Sequence, residues 1–85
     1  MKQIYIDVQN LDAPKQLHEL LSRELSFPDW YRPNLDALHD CLTAICEDTH
    51  LYLSSFSALP PTFRGFFLVL QDAEIENPHF YVTFQ

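Results

Sequence analysis

Trp30-Tyr31-Arg32-Pro33-Asn34-Leu35-Asp36-Ala37-Leu38-His39-Asp40-Cys41-Leu42 is an aromatic, proline-broken loop that runs into a helix. Pro33 pushes Arg32 out of the α region. Asn34 is a strong N-cap, since its side-chain oxygen can take one of the first unpaired backbone N–H groups. Leu35, Leu38, Leu42 and Ile45 then recur at helical spacing as a buried stripe. At about 100° per residue, Asp36, His39, Asp40, Thr43 and Glu47 share an arc on the other side. The helix therefore presents leucines inward and carboxylates outward.

The flanks set the rest of the architecture. Ile4, Ile6 and Val8 alternate with Tyr5 and Asp7, which predicts a strand over Gln3–Val8 with one buried face. Asp12 is a candidate N-cap and Pro14 suits a first helical turn. Leu17, Leu20, Leu21 and Leu25 carry that helix, with Glu19 and Arg23 four apart on its outer side. Phe27-Pro28 ends it. His50–Ser54 reads as a second strand. Phe66–Leu70 alone would pass for a buried strand. Phe63, Phe66, Phe67, Leu70 and Ala73, however, keep helical spacing and predict a helix over Thr62–Glu76. Asn77-Pro78 is its stop, with Asn77 suited to a left-handed position. Phe80–Phe84 is the last strand. The order strand, helix, helix, strand, helix, strand requires crossover connections. The expected fold is α/β, a small three-stranded parallel sheet packed with three to four helices, with right-handed crossovers.

The 85 residues suit one domain over 1–85. Apolar content of 47%, including seven Phe, four Tyr and one Trp, can fill a core and argues against disorder. Twelve acidic residues against five basic ones give a formal charge of −7. That field repels nucleic acid, whose affinity comes from Lys and Arg on phosphates. It also disfavours an anionic membrane, and it steers a basic protein inward. If one helix spans both Cys41 and Cys46, their spacing of five sets them well apart around it, so no disulfide between them is expected. Met1 leads straight into a strand-like run with no secretory signal, and no apolar stretch is long enough to span a membrane. The expectation is a reduced, cytoplasmic protein, monomeric when free.

Chemistry is confined to the opening stretch. Asp36, just inside the helix start, is favoured by the macrodipole, whereas Asp40 gains less. The two repel each other at i, i+4. One reading is a solvated helix face. The other is a docking face for guanidinium and ammonium groups. Asp36, His39 and Asp40 also offer metal-ligand atoms on one side, but from one helix only and in no known motif. With one Gly and no phosphate loop, no cofactor is implied. Cys41 has acidic neighbours, which raise a thiol pKa and oppose reactivity. The chain is not expected to be an enzyme. Trp30 or Tyr31 either folds into the core or anchors an interface. Asp72, Glu74 and Glu76 form an acidic helix end that the dipole opposes, which suggests acidity kept for something external.

Leu17-His18-Glu19-Leu20-Leu21-Ser22-Arg23-Glu24-Leu25-Ser26-Phe27-Pro28-Asp29-Trp30-Tyr31, followed by Asn34-Leu35-Asp36-Ala37-Leu38-His39-Asp40-Cys41-Leu42-Thr43, resembles the barstar family of intracellular ribonuclease inhibitors. The resemblance implies a three-stranded parallel sheet. It also implies inhibition by insertion of the second helix and its preceding loop into the enzyme's active site. Asp40 matches the carboxylate that occupies the substrate phosphate position, and Asp36 one that pairs with a guanidinium. Trp30 stands where the family has an aromatic near the catalytic His. Asn34 and Leu35 match residues at the interface, and Asp72 an acidic residue of the third helix. Arg32, His39 and Thr43 belong to the same expected contact set. Arg32-Pro33 replaces a small residue and an acidic one, and His39 and Ile45 replace aromatics. The implied partner is a basic ribonuclease, of extracellular or toxin type. The alternative is an acidic interaction module, or an immunity protein, for a partner that is not a ribonuclease.

Overall fold

The computed structural model describes all residues 1–85. Strands β1 (Lys2–Asp7), β2 (Thr49–Ser54) and β3 (Phe80–Phe84) form one sheet in the order β1-β2-β3, and both pairings are parallel. Helix α1 (Pro14–Glu24) and helix α2 (Leu35–Thr43) connect β1 to β2. Two short 3₁₀ turns, Phe56–Ala58 and Pro61–Phe63, and helix α3 (Arg64–Glu76) connect β2 to β3. No helix is long and apolar enough to cross a membrane.

The alternation in β1 does what its period requires. Ile4, Ile6 and Val8 join Leu51, Leu53 and Phe80 of the other strands in the core. Leu17 and Leu21 of α1, Leu38 and Leu42 of α2, and Phe66, Leu70 and Ala73 of α3 meet them there. The opposite sheet face carries an aromatic row. Tyr5 and His50 each stack on Tyr52, at centroid distances of 4.5 and 4.1 Å.

Several ends differ from expectation. The N-cap of α1 is Ala13, and Asp12 caps nothing. Gln16 Oε1 instead accepts from the N–H groups of Asp12 (2.6 Å) and Ala13 (3.0 Å). The helix closes before Phe27-Pro28, by a left-handed Ser26 (φ 56°). The N–H of Phe27 bonds the carbonyl of Ser22 at 2.9 Å and that of Ser26 bonds Arg23 at 3.4 Å, a Schellman closure. Glu19 and Arg23 do not pair, and Arg23 reaches Glu24 at 3.5 Å instead.

Helix α2 stops at Thr43, so Ile45 and Glu47 lie beyond it, although Ile45 still packs on the core. The reason is Asn77. It is not left-handed but extended (φ −119°, ψ 110°) and 4% exposed. Its Nδ2 donates to the carbonyls of Leu42 and Ile45, both at 2.9 Å, so the stop of α3 also ties off α2. Phe67, assigned to the core by its spacing, sits at the margin against Phe84. Helix α3 begins at Arg64, because the 3₁₀ turn takes Pro61–Phe63.

Candidate functional site

Helix α2 is held at both ends. Asn34 is extended (φ −139°, ψ 160°) and its Oδ1 accepts from the N–H of Ala37 at 2.7 Å, the cap its residue type predicts. Leu38 and Leu42 are fully buried. Leu35, half-buried, lies against Gly65, where a side chain on α3 would collide with it. Leu35 thus meets the start of α3, while Leu42 meets Asn77 at its end, so the two helices run side by side in one direction. The outer face of α2 is therefore mounted on a fixed element.

That face carries Asp36 and Asp40, both exposed, with Thr43 one turn further on. Neither carboxylate has an ion-pair partner, and neither has Asp72 on the outer side of α3. Thr43 is turned onto its own helix, its Oγ1 donating to the carbonyl of His39 at 2.8 Å. His39 leans towards α3, and its Nε2 lies 2.5 Å from Oε2 of Glu76. Asp36, His39 and Asp40 do not form a metal-holding cluster.

The acidic end of α3 thus has two internal uses that the sequence did not reveal. Glu76 meets His39, and Glu74 Oε2 accepts from the N–H of Val82 at 2.8 Å on the outer edge of β3. Of the three acids only Asp72 stays unpaired. Glu76 also joins the surface beside Asp36 and Asp40 through a contact spanning 37 positions, which no local pattern announces.

The loop before α2 divides its two aromatics. Trp30 is 57% exposed and borders an open cleft of about 280 Å³ with Phe27, Pro28, Cys41, Ala44 and Ile45. Tyr31 turns inward, packs at a tilt against Phe27 and meets the buried His18. Burial lowers the pKa of His18. Burial, and then the nearby Cys41, raise that of Tyr31. The contact therefore joins a neutral imidazole, through its Nδ1, to a phenol that keeps its proton. Arg32 is exposed, but its Nη1 donates to the carbonyls of Trp30 (3.2 Å) and Tyr31 (3.4 Å) and braces the loop. Cys41 is buried, and burial first and Asp40 second push its thiol up. Cys46 is free and exposed.

In order across the surface stand Trp30, then the Asp36–Asp40 ridge, then His39 with Glu76 and Asp72. An exposed aromatic beside rigid, unpaired carboxylates has the chemistry to receive guanidinium or ammonium groups. Over residues 1–85 the chain matches the Barstar (barnase inhibitor) family model, and it belongs to that family. It is also 38% identical, over an 82-residue alignment covering 89% of each chain, to a Bacillus subtilis (strain 168) protein named "Putative ribonuclease inhibitor YrdF".

Proposed function

We propose that this chain inhibits a cationic ribonuclease by laying the outer face of α2 and the Trp30–Pro33 loop into the enzyme's active site. The observation that carries the reading is the unpaired, exposed pair Asp36 and Asp40 on a helix capped by Asn34. An unpaired carboxylate one turn from another costs stability locally, by a few tenths of a kcal/mol. Cationic groups of a partner turn that cost into attraction. Asp40 takes the place of the substrate phosphate among the enzyme's basic groups, and Asp36 pairs with a guanidinium. Trp30 stacks beside the catalytic groups, while Asn34, Leu35 and Thr43 line the contact. His39 and Asp72 extend it onto α3, and Arg32 holds the loop in shape. Such an inhibitor protects the cell that makes the enzyme, as a cytoplasmic immunity protein, and performs no chemistry itself.

The test is inhibition of a basic ribonuclease from the same source. Asp40→Ala removes a carboxylate that the complex would desolvate, so affinity should drop by about 2–5 kcal/mol, roughly thirtyfold or more. Asp7→Ala, on the sheet face turned away from the helices, should change it little. Equal effects from the two substitutions would rule the reading out.

A second reading keeps the face and changes the partner, and the His39–Glu76 contact favours it by giving this surface its own shape. Capture of a protein without ribonuclease activity, released by Asp40→Ala, would establish that version.

A further inference from the structure

Three of the five Lys and Arg residues gather on one side of the docking loop. An open cleft of about 310 Å³ separates α1 from that loop. Lys15, Glu19, Ser22 and Arg23 of α1 face Tyr31 and Pro33 across it. Arg32, between those two loop residues, is exposed, with its guanidinium fixed to the carbonyls of Trp30 and Tyr31. Lys15 has no acidic partner within ion-pair distance. Arg23 reaches only Glu24, at 3.5 Å between two largely exposed side chains, a pairing worth little. Glu19 and Glu24 offset two of the three charges, so the cleft and its rim keep a net positive charge of one, which rests on Arg32, in a chain of formal charge −7.

We propose that this cleft is a cationic counter-site that receives an Asp or Glu side chain of the same partner; the proposal rests on the reading of the Trp30–Thr43 face as the docking surface. The argument is one of charge placement. A basic enzyme brought onto a uniformly acidic surface has many attractive orientations. A fixed positive site at the border of the acidic ridge penalises every orientation that sets a basic group over it, and rewards the one that sets a carboxylate there. Charges are screened over about 8 Å at physiological salt, so the cleft acts on a group set directly over it and little on more distant ones. The cleft thus fixes which way round the enzyme sits, while Asp36 and Asp40 supply the main attraction.

The test is the affinity for the cognate ribonuclease of Lys15→Glu/Arg23→Glu, Glu19→Gln and Asp40→Ala, each first shown by circular dichroism melting to be folded. The double substitution takes the formal charge from −7 to −11. If overall charge alone governed association, it would tighten binding to a basic enzyme. The counter-site predicts the opposite, weakening by about tenfold or more at low salt, with Glu19→Gln tightening binding. Unchanged or tighter binding of the double variant overturns the counter-site. If Asp40→Ala still weakens binding in that case, the docking face stands and only the cleft is at fault. An Asp40→Ala variant that binds normally overturns the docking face itself. Inorganic phosphate titrated into the free protein is the last arm. Saturable shifts of Lys15, Ser22 and Arg23 resonances would assign the cleft to a free anion and overturn the partner carboxylate as its occupant.

Discussion

Tyr31 and Trp30 are neighbours with opposite fates. Tyr31 turns inward to hydrogen-bond the buried His18, while Trp30 stays outside. The sequence could not choose, since the partner lies 13 positions away on α1. Asn34 was legible because its partner, Ala37, is three residues off and the cap is local chemistry. Replacing Tyr31 by Phe should leave Nδ1 of the buried His18 without its hydrogen-bond partner and cost about 1–2 kcal/mol in urea unfolding. The same imidazole sets a pH dependence. Its folded pKa lies below the ordinary 6.5 because burial disfavours the charged ring. Above 6.5 the ring is neutral in both states and the stability is fully present. As pH falls below 6.5 the unfolded chain takes up a proton that the folded chain resists, so stability declines down to the folded pKa. The urea midpoint should therefore drop between pH 7 and 5, and His18→Gln should flatten that drop. Cys46 is exposed, whereas Cys41 is buried with its thiol pushed up, so iodoacetamide at neutral pH should label Cys46 first in the native protein.

At the scale of elements, helix existence and facing were readable, as was the start of α2 at Asn34, whereas the end of α2 and the start of α3 were not. The stripe Leu35, Leu38 and Leu42 faces inward as its spacing predicts. Ile45 fits the same spacing but lies past the end, because Asn77 takes the carbonyls of Leu42 and Ile45. The helix-or-strand ambiguity at Phe66–Leu70 is resolved as helix, and Phe66 and Leu70 fill the core. Asn77 joins two elements, so its loss should be felt in both. Asn77→Ala removes three hydrogen bonds from a buried position, two to the end of α2 and one from the N–H of His79, and should cost about 1–3 kcal/mol. Amide exchange should then speed up in the last turn of α2 as well as at the end of α3. Protection lost only in α3 would show that α2 is closed by something else.

At the scale of the molecule, the α/β class was legible from the order of elements, and the exposed acidic ridge from the spacing of Asp36 and Asp40. The cationic cleft and the Glu76 contact were not, since both arise from tertiary contact between α1 and a loop and between α2 and α3. The chain of formal charge −7 turns one fixed acidic ridge outward, on a helix bolted to its neighbour by Leu35 and Asn77. Affinity for a basic enzyme should fall as salt is raised from 50 to 500 mM, mainly through the association rate, as stopped-flow mixing would record. That steering is common to many acidic proteins; occlusion of an active site is not. The most direct measurement is the mode of inhibition of a basic ribonuclease from the same source. If the Asp36–Asp40 ridge fills the place of the RNA phosphate, the apparent inhibition constant rises linearly with RNA concentration, and a bound mononucleotide competes with the inhibitor. An inhibition constant unchanged by RNA or mononucleotide would contradict the account.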